Sequence, residues 1–203
     1  MRRDKLIEGV LIAMLVVLSA SYAYAEDFVA RLNGFQEVGG VGAGQTGAIR
    51  SDGTGTFHLS LSGSQATYTL TYSNVGSPPA GARTVSQAHI HFGKRHVGGG
   101  IMVFLCTNLN NGPTGTQTCP PTSGTIAGTI NAASVLEIAT QNVAAGDFDA
   151  LVDALRSNTA YVNIHTVAVP PAIVGFPVGE IRGQIHRDRR DHHDKDDDKD
   201  HNH

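Results

Sequence analysis

The chain lacks several features that would point to a function. Its 203 residues include no tryptophan and only two cysteines, and the aromatic residues amount to 6% of the composition. The lack of tryptophan gives little support to a surface that stacks on carbohydrate. The formal net charge is −3, and the central part of the sequence has no cluster of Lys and Arg, which argues against a nucleic-acid partner. No phosphate-binding glycine motif, GxSxG or HExxH motif occurs, so no motif indicates an enzyme.

The N-terminus has the pattern of a secretory signal peptide. Arg2, Arg3 and Lys5 precede an apolar run, Val10 to Ala20, that is too short to span a bilayer comfortably. Ala23-Tyr24-Ala25 is typical of a cleavage site. We therefore predict a signal peptide at residues 1–25, export to the periplasm or the exterior, and no membrane span after cleavage. An uncleaved membrane anchor is the alternative.

The two cysteines, Cys106 and Cys119, flank a loop rich in Gly, Pro and Thr. In an oxidising compartment such a pair most simply forms one disulfide, which would contribute about 3 kcal/mol by restricting the unfolded chain. A metal or redox pair is the other reading, but the spacing exceeds CxxC and no further cysteine completes a thiolate site.

The C-terminal segment, residues 186–203, consists of His, Asp, Arg, Lys and Asn with no apolar residue, so we expect it to be disordered. Histidines in it are candidate ligands for Zn, Ni or Cu. A solvated tail without a metal is equally compatible with this composition. The tail histidines that we consider as ligands are His192, His193, His201 and His203.

Residues 26–185 are predicted to form one all-β domain, an antiparallel sandwich or barrel. Short alternating segments are separated by turn signals such as Ser62-Gly63-Ser64, which predicts a hairpin. One amphipathic helix interrupts them, with apolar residues at i, i+3, i+4 and i+7 from Phe148 and Asp147 as N-cap. The predicted strands are Phe28–Leu32, Gly47–Arg50, Gly55–Leu61, Gln65–Ser73, Ser86–Phe92, Ile101–Leu105, Gly124–Ile130, Ala160–His165 and Gly179–Ile185.

Three of these strands carry a polar stripe. Side chains two apart on a strand share a face, so SQAHIHFG puts its two histidines on one side and Ile90 on the other. AYVNIHT and GEIRGQI show the same alternation. Pairing of the three strands would give one sheet with a polar face formed by His89, His91, Asn163, His165, Glu180, Arg182 and Gln184.

The stripe supports two interpretations. His89, His91 and His165, with His96 or Glu180 as a further ligand, are suited to binding Cu or Zn. The other interpretation is a structural network that fixes strand register, in which Glu180 could pair with Arg182 and either of them could hydrogen-bond the histidines and Asn163. A third class of function is a protein-interaction module, with Asn108–Ser123 and Val169–Pro177 as candidate partner-binding loops.

Four segments together resemble the CHRD domain, a family named after chordin. They are FVARLNGFQEVGGV near the N-terminus, AHIHFG in the middle, and YVNIHT and GEIRGQI near the end. The resemblance runs from Phe28 to Ile185, with Gly39-Gly40 standing where the family usually has prolines. It implies an immunoglobulin-like β-barrel or sandwich on an extracytoplasmic protein, and it assigns no reaction.

Together these observations favour a secreted, non-enzymatic binding or structural module of the cell envelope or exterior. Its partner would be an extracytoplasmic protein or a metal ion. The alternative is a Cu- or Zn-binding protein that uses the histidine stripe, the tail, or both.

Overall fold

The computed structural model describes residues 25–39, 47–76, 83–170 and 175–189. Among them are nine strands and one α-helix, together with three short 3-10 turns. In chain order these are β1 (Glu26–Asn33), β2 (Thr54–Ser62), β3 (Gln65–Ser73), β4 (Arg83–Phe92), β5 (Gly100–Thr107), β6 (Gly124–Ile130), α1 (Phe148–Arg156), β7 (Ala160–Ala168), β8 (Phe176–Gln184) and β9 (His186–Arg187). The all-β fold class with one short amphipathic helix is confirmed.

All nine strands belong to one antiparallel sheet that curves into a nearly closed barrel. The strand order is β5-β4-β7-β8-β1-β2-β3-β6, and the short β9 also pairs with β1. The two edge strands, β5 and β6, meet without a ladder. Their seam is bridged by Gln117, whose amide donates to the carbonyl oxygens of Leu105 and Ala127. This side chain thereby satisfies backbone acceptors that a fully closed barrel would have paired.

The β2–β3 hairpin shows how the sequence pattern produces the core. Apolar and small residues alternate with exposed polar ones along both strands, and the register pairs Phe57 with Leu70 and Leu59 with Tyr68. These side chains are buried in the barrel interior. Burial of each large apolar side chain contributes about 1.5–3 kcal/mol, which is the main stabilisation of a sheet with one solvated face.

Helix α1 lies against β7 and β9 and joins the same core. Its apolar stripe, which includes Phe148, Leu151 and Leu155, is buried. The Asp147 side chain accepts a hydrogen bond from the Ala150 amide, so the predicted N-cap is confirmed. No helix in the described ranges has the length and apolar character needed to cross a bilayer.

The strand prediction fails at Gly47–Arg50, which has no ladder pairing. Gly47 has φ +88°, a left-handed conformation that does not continue a strand. The Ile49 amide donates to the carbonyl oxygen of Gly34, which lies in a 3-10 turn, while the Ile49 side chain is buried. The segment therefore has one apolar anchor but no partner strand.

Cys106 and Cys119 form a disulfide that closes the loop after β5. Cys106 is fully buried and Cys119 is nearly so, and both belong to the core cluster. The predicted start of the disordered tail at residue 186 is wrong, because His186 and Arg187 form β9 and pair with β1. The four tail histidines and the proposed signal peptide, apart from Ala25, lie outside the described residues.

Candidate functional site

The strands that carry the polar stripe are neighbours, in the order β4-β7-β8. Their register places His89 opposite Asn163, and Asn163 opposite Arg182. The alternate residues Ile90, Val162 and Ile164 are completely buried in the barrel core. The polar side chains therefore project from the outer face of the sheet.

This outer face is covered rather than solvated. His89 is 0% exposed, and His91, His165, Asn163 and Arg182 are exposed by 6% or less. The connection between β4 and β5 forms part of the cover, because its carbonyl oxygens accept hydrogen bonds from stripe side chains. The stripe is thus a second, polar interior on the opposite side of the sheet from the apolar core.

Three histidines converge within this polar interior. His89, His91 and His165 each offer one ring nitrogen, and these three atoms lie within 4.8 Å of one another. His89 Nδ1 and His165 Nε2 are 3.1 Å apart. Two nitrogens bound tetrahedrally to one ion at about 2.0–2.1 Å would be about 3.3–3.4 Å apart, so this pair already has a suitable spacing. The separation of the third nitrogen, at most 4.8 Å, would have to shorten by up to about 1.5 Å to reach the same spacing.

Backbone carbonyls fix the tautomers of two of these rings. His91 Nδ1 donates to the Gly99 carbonyl oxygen at 3.0 Å, and His165 Nδ1 donates to that of Pro177 at 3.0 Å. A carbonyl can only accept, so in each neutral ring the proton is on Nδ1 and the lone pair is on Nε2. Metal-binding histidines are commonly oriented by such a second hydrogen bond.

Two buried ring nitrogens in the group have no hydrogen-bond partner within the described parts of the chain. They are Nε2 of His89 and Nε2 of His91. Leaving a buried polar atom unpaired costs about 1–3 kcal/mol, so most such atoms in proteins are satisfied by protein, water or an ion.

Burial keeps all three imidazoles neutral. Desolvation, reinforced by the neighbouring histidines, lowers the pKa of His89 to about 2. Desolvation also lowers the pKa of His91 and of His165 to about 4, in each case against the effect of the hydrogen bond to a carbonyl. Neutral imidazole is the form that binds a metal, so at neutral pH the rings need lose no proton overall. For His89 Nδ1 to act as a ligand, the proton that it shares with His165 Nε2 would have to move to Nε2 of the His89 ring.

Aromatic and cationic groups support the rings. The edge of the His89 ring contacts Phe104 at a centroid distance of 4.3 Å. His91 stacks on Tyr161 at 4.8 Å with an interplanar angle of 6°, and the Arg182 guanidinium lies 3.4 Å from the centroid of the same Tyr161 ring. One ring face cannot hold both groups at these distances, so Tyr161 separates the buried cation from His91.

A bulge in β8 shapes the other side of the site. Ile164 pairs with Ile181, but Thr166 pairs with Phe176, so β8 has three extra residues between these pairs. Bulges re-aim groups that a regular strand would point elsewhere. Here the bulge directs the Pro177 carbonyl to His165 and the Val178 carbonyl to the Asn163 amide.

Gly179 lies at the centre of this bulge. It has φ +134°, and a Cβ atom at this position would lie 2.4 Å from the Asn163 side-chain amide. Both the backbone conformation and the close approach require glycine here.

Glu180 is not part of the histidine group, which corrects the prediction that it shares the face of Arg182 and serves as a ligand. The bulge breaks the period-two alternation, and the Glu180 carboxylate instead accepts hydrogen bonds from Ser51, Thr166 and the Gly76 amide. It forms a fully buried salt bridge with Arg83 at 3.3 Å. The predicted pairing of Glu180 with Arg182 is therefore wrong.

The other residues that the sequence singled out lie outside the group of three histidines. His96 is exposed in the connection between β4 and β5 with φ +64° and is not in the histidine group. Arg182 donates to the carbonyl oxygens of Lys94 and Val97 and so holds that connection over the stripe. Gln184 donates to the Gly93 carbonyl oxygen at its base.

Three residues of the site were missed by sequence reasoning. Tyr161 lies two residues before Asn163 on β7, so the same alternation that singled out the stripe contains the signal for it. Phe104 is on a neighbouring strand and is recognisable only from the β4–β5 register. Glu37 follows β1, and its carboxyl group accepts a hydrogen bond from the Asn163 side-chain amide. No feature of the sequence connects these two residues.

Glu37 is buried, and desolvation raises the pKa of its carboxyl group to about 8, although the nearby positive charge of Arg182 opposes this. It is therefore mainly protonated at neutral pH. The site thus contains three neutral imidazoles, one buried guanidinium and one neutral carboxyl group.

Comparison with known proteins gives one match. No curated protein and no solved structure matches the chain. The family model of the CHRD domain matches residues 28–185, which include every strand from β2 to β8 and all three residues of the histidine group. The chain therefore belongs to the CHRD domain family.

Proposed function

We propose that this protein is an exported CHRD-domain module that binds one transition-metal ion through His89, His91 and His165. The observation that carries the proposal is the convergence of three buried, neutral imidazoles within 4.8 Å. Carbonyl partners pre-set the Nε2 lone pairs of two of the rings. Imidazole suits Cu and Zn, and a site with three protein ligands is a common arrangement for both.

Export is part of the proposal. A disulfide between Cys106 and Cys119 fits an oxidising compartment, and the N-terminal residues have the pattern of a signal peptide. We propose a binding role, because the three histidines are buried and five surface cavities of about 280–780 Å³ are lined by other residues.

A structural polar network is the second candidate, and one observation favours it. In the absence of metal, His89 Nδ1 donates to the lone pair of His165 Nε2, which links β4 to β7. A network of this kind would fix the register of the sheet without an ion.

Metal analysis of the mature full chain separates the two functions. The four tail histidines are first replaced by asparagine, so that metal bound by the tail is not counted. Metal binding predicts about one Cu or Zn per chain by mass spectrometry, and loss of that metal in the His89→Asn/His91→Asn variant. His58→Asn is the matched control, because His58 is exposed on β2 and outside the group.

Stability gives the second readout. An ion at a hundredfold excess over its dissociation constant would raise the free energy of unfolding by about 2.7 kcal/mol. If added Cu and Zn leave the unfolding free energy unchanged, and His89→Asn lowers it equally with and without metal, the structural network is the correct function and the metal proposal fails.

A further inference from the structure

The charges around the histidine group restrict which ion it can hold. Within the described residues no carboxylate belongs to the group of ligand atoms. The Glu180 carboxylate is already neutralised by Arg83. The Glu37 carboxyl group accepts a hydrogen bond from Asn163, and the buried Arg182 guanidinium lies on the Tyr161 ring against which His91 stacks. An ion bound here would be surrounded by neutral ligands and one positive group.

An ion without a counter-charge has to be stabilised by its ligands alone. The cost of burying an ion grows with the square of its charge, so a divalent ion costs about four times as much as a monovalent one of similar size. Repulsion from the Arg182 guanidinium adds in proportion to the charge. Both effects favour a monovalent ion over Zn²⁺ or Cu²⁺.

Coordination number points the same way. Structural Zn²⁺ takes four ligands, and Cu²⁺ prefers a tetragonal set. The described residues offer three nitrogens, and neither His96 nor Glu180 supplies a fourth ligand. Water has little access, since the three histidines are between 0% and 6% exposed. A closed site with three nitrogens matches the usual ligand set of neither divalent ion, which leaves monovalent copper as the better fit.

We propose that the group formed by His89, His91 and His165 is a site for monovalent copper, Cu⁺, in preference to Zn²⁺ and Cu²⁺. This inference rests on the proposed metal-binding function and specifies the ion. The Tyr161 ring lies between His91 and the Arg182 cation. Arg182 is the positioning residue that sets the charge preference.

The test is competition for metal against chromophoric chelators, on the full mature chain with the four tail histidines replaced by asparagine. Cu⁺ is supplied with excess ascorbate under nitrogen, and Zn²⁺ and Cu²⁺ are titrated separately. We expect one Cu⁺ per chain, bound about 100-fold more tightly than Zn²⁺, and no Cu⁺ bound in the His89→Asn/His91→Asn variant. His58→Asn serves as the control that keeps binding.

Two Arg182 variants test the charge argument. Arg182→Met removes the positive charge, so the ratio of Cu⁺ to Zn²⁺ affinity is expected to fall about tenfold, whereas Arg182→Lys keeps the charge and the ratio. The comparison of the three ions on the chain with Arg182 intact decides the inference even if a variant does not fold.

The outcomes separate the two proposals. Zn²⁺ or Cu²⁺ bound at the histidines as tightly as Cu⁺ would overturn the preference and leave the metal-binding function standing. Absence of binding for all three ions would overturn both. X-ray absorption of the copper-loaded protein is expected to show three nitrogen ligands at about 2 Å, and a fourth ligand would contradict a closed site.

Discussion

At the scale of single residues, the site is defined by ionisable groups kept in their neutral forms. The pKa values of His89, His91 and His165 are lowered by burial, and the pKa of Glu37 is raised by it. These opposite shifts have opposite consequences for stability. In the folded protein the histidines resist gaining a proton, so acid favours unfolding, whereas Glu37 resists losing its proton, so a rise in pH favours unfolding.

Acid is expected to destabilise the metal-free protein through the histidines. Below pH 6.5 the unfolded chain protonates them while the folded protein does not until about pH 4. The stability they contribute is therefore present above pH 6.5 and is lost as pH falls through this window, by several kcal/mol in total. Urea unfolding at pH 7, 6 and 5 measures it. The decrease in unfolding free energy with falling pH should be smaller in His91→Asn/His165→Asn and unchanged in His58→Asn. An unchanged decrease in the double variant would contradict buried neutral rings.

Glu37 produces the opposite trend at higher pH. The folded protein keeps this proton up to about pH 8, whereas the unfolded chain loses it near pH 4.5, so stability falls as pH rises between these values. Between pH 6.5 and 8 the histidines no longer contribute, and a loss of about 2 kcal/mol remains. Glu37→Gln should abolish this loss in urea unfolding experiments, while Glu137→Gln, at an exposed position, should not. A loss that persists in Glu37→Gln would show that another group titrates.

At the scale of elements, strand irregularities matter more than strand propensity. β4 pairs with both neighbours through shifted registers, and β8 has three extra residues opposite β7. The bulge in β8 brings two backbone carbonyls to His165 and Asn163 and turns Glu180 towards Arg83. A regular β8 would have placed Glu180 in the stripe, as the alternation predicts.

Gly179→Ala should destabilise the protein by about 1–3 kcal/mol, since the residue is held at φ +134° and an added Cβ would meet the Asn163 amide. Thermal and urea unfolding measure the change, and the variant should also bind metal less tightly because His165 loses its fixed carbonyl partner. Gly98→Ala is the control, because its Cβ would meet nothing within 4 Å and its φ is ordinary. Equal stability of the two variants would show that the bulge tolerates a side chain.

At the scale of the whole molecule, one curved sheet separates two interiors. The concave side encloses the apolar core, closed at one place by α1, and the outer face of β4-β7-β8 carries the polar interior under the β4–β5 connection. The barrel is incompletely closed at the β5–β6 seam, where Gln117 and the disulfide-bonded loop replace a ladder.

Removal of the disulfide by Cys106→Ala/Cys119→Ala should lower the free energy of unfolding by about 3 kcal/mol, mainly because the unfolded chain regains the freedom of the closed loop. The loop has a sequence separation of 13 residues. Urea unfolding without reductant measures the loss. Dithiothreitol should destabilise the unsubstituted protein by a similar amount and leave the double variant unaffected, and a reductant-sensitive double variant would contradict this account.

The sequence by itself determined the elements whose signals are local. Alternation along Gly55–Leu61 and Gln65–Ser73 was enough for the hairpin, and the i, i+3, i+4 spacing with an Asp N-cap was enough for α1. The same alternation put His89 with His91 and Asn163 with His165. Four short segments of the sequence carried the family resemblance, which the match over residues 28–185 bears out.

Only the tertiary structure decided what those side chains do. Burial of the outer face depends on a connection folding back over the sheet, and the convergence of three imidazoles depends on the order β4-β7-β8 and its register. The position of Glu180 follows from a bulge, and that of Glu37 from a segment more than 120 residues from its partner Asn163. Charge and protonation state, and the metal preference that we propose, depend on contacts between segments distant in the chain, and for that reason local sequence patterns carry no signal for them.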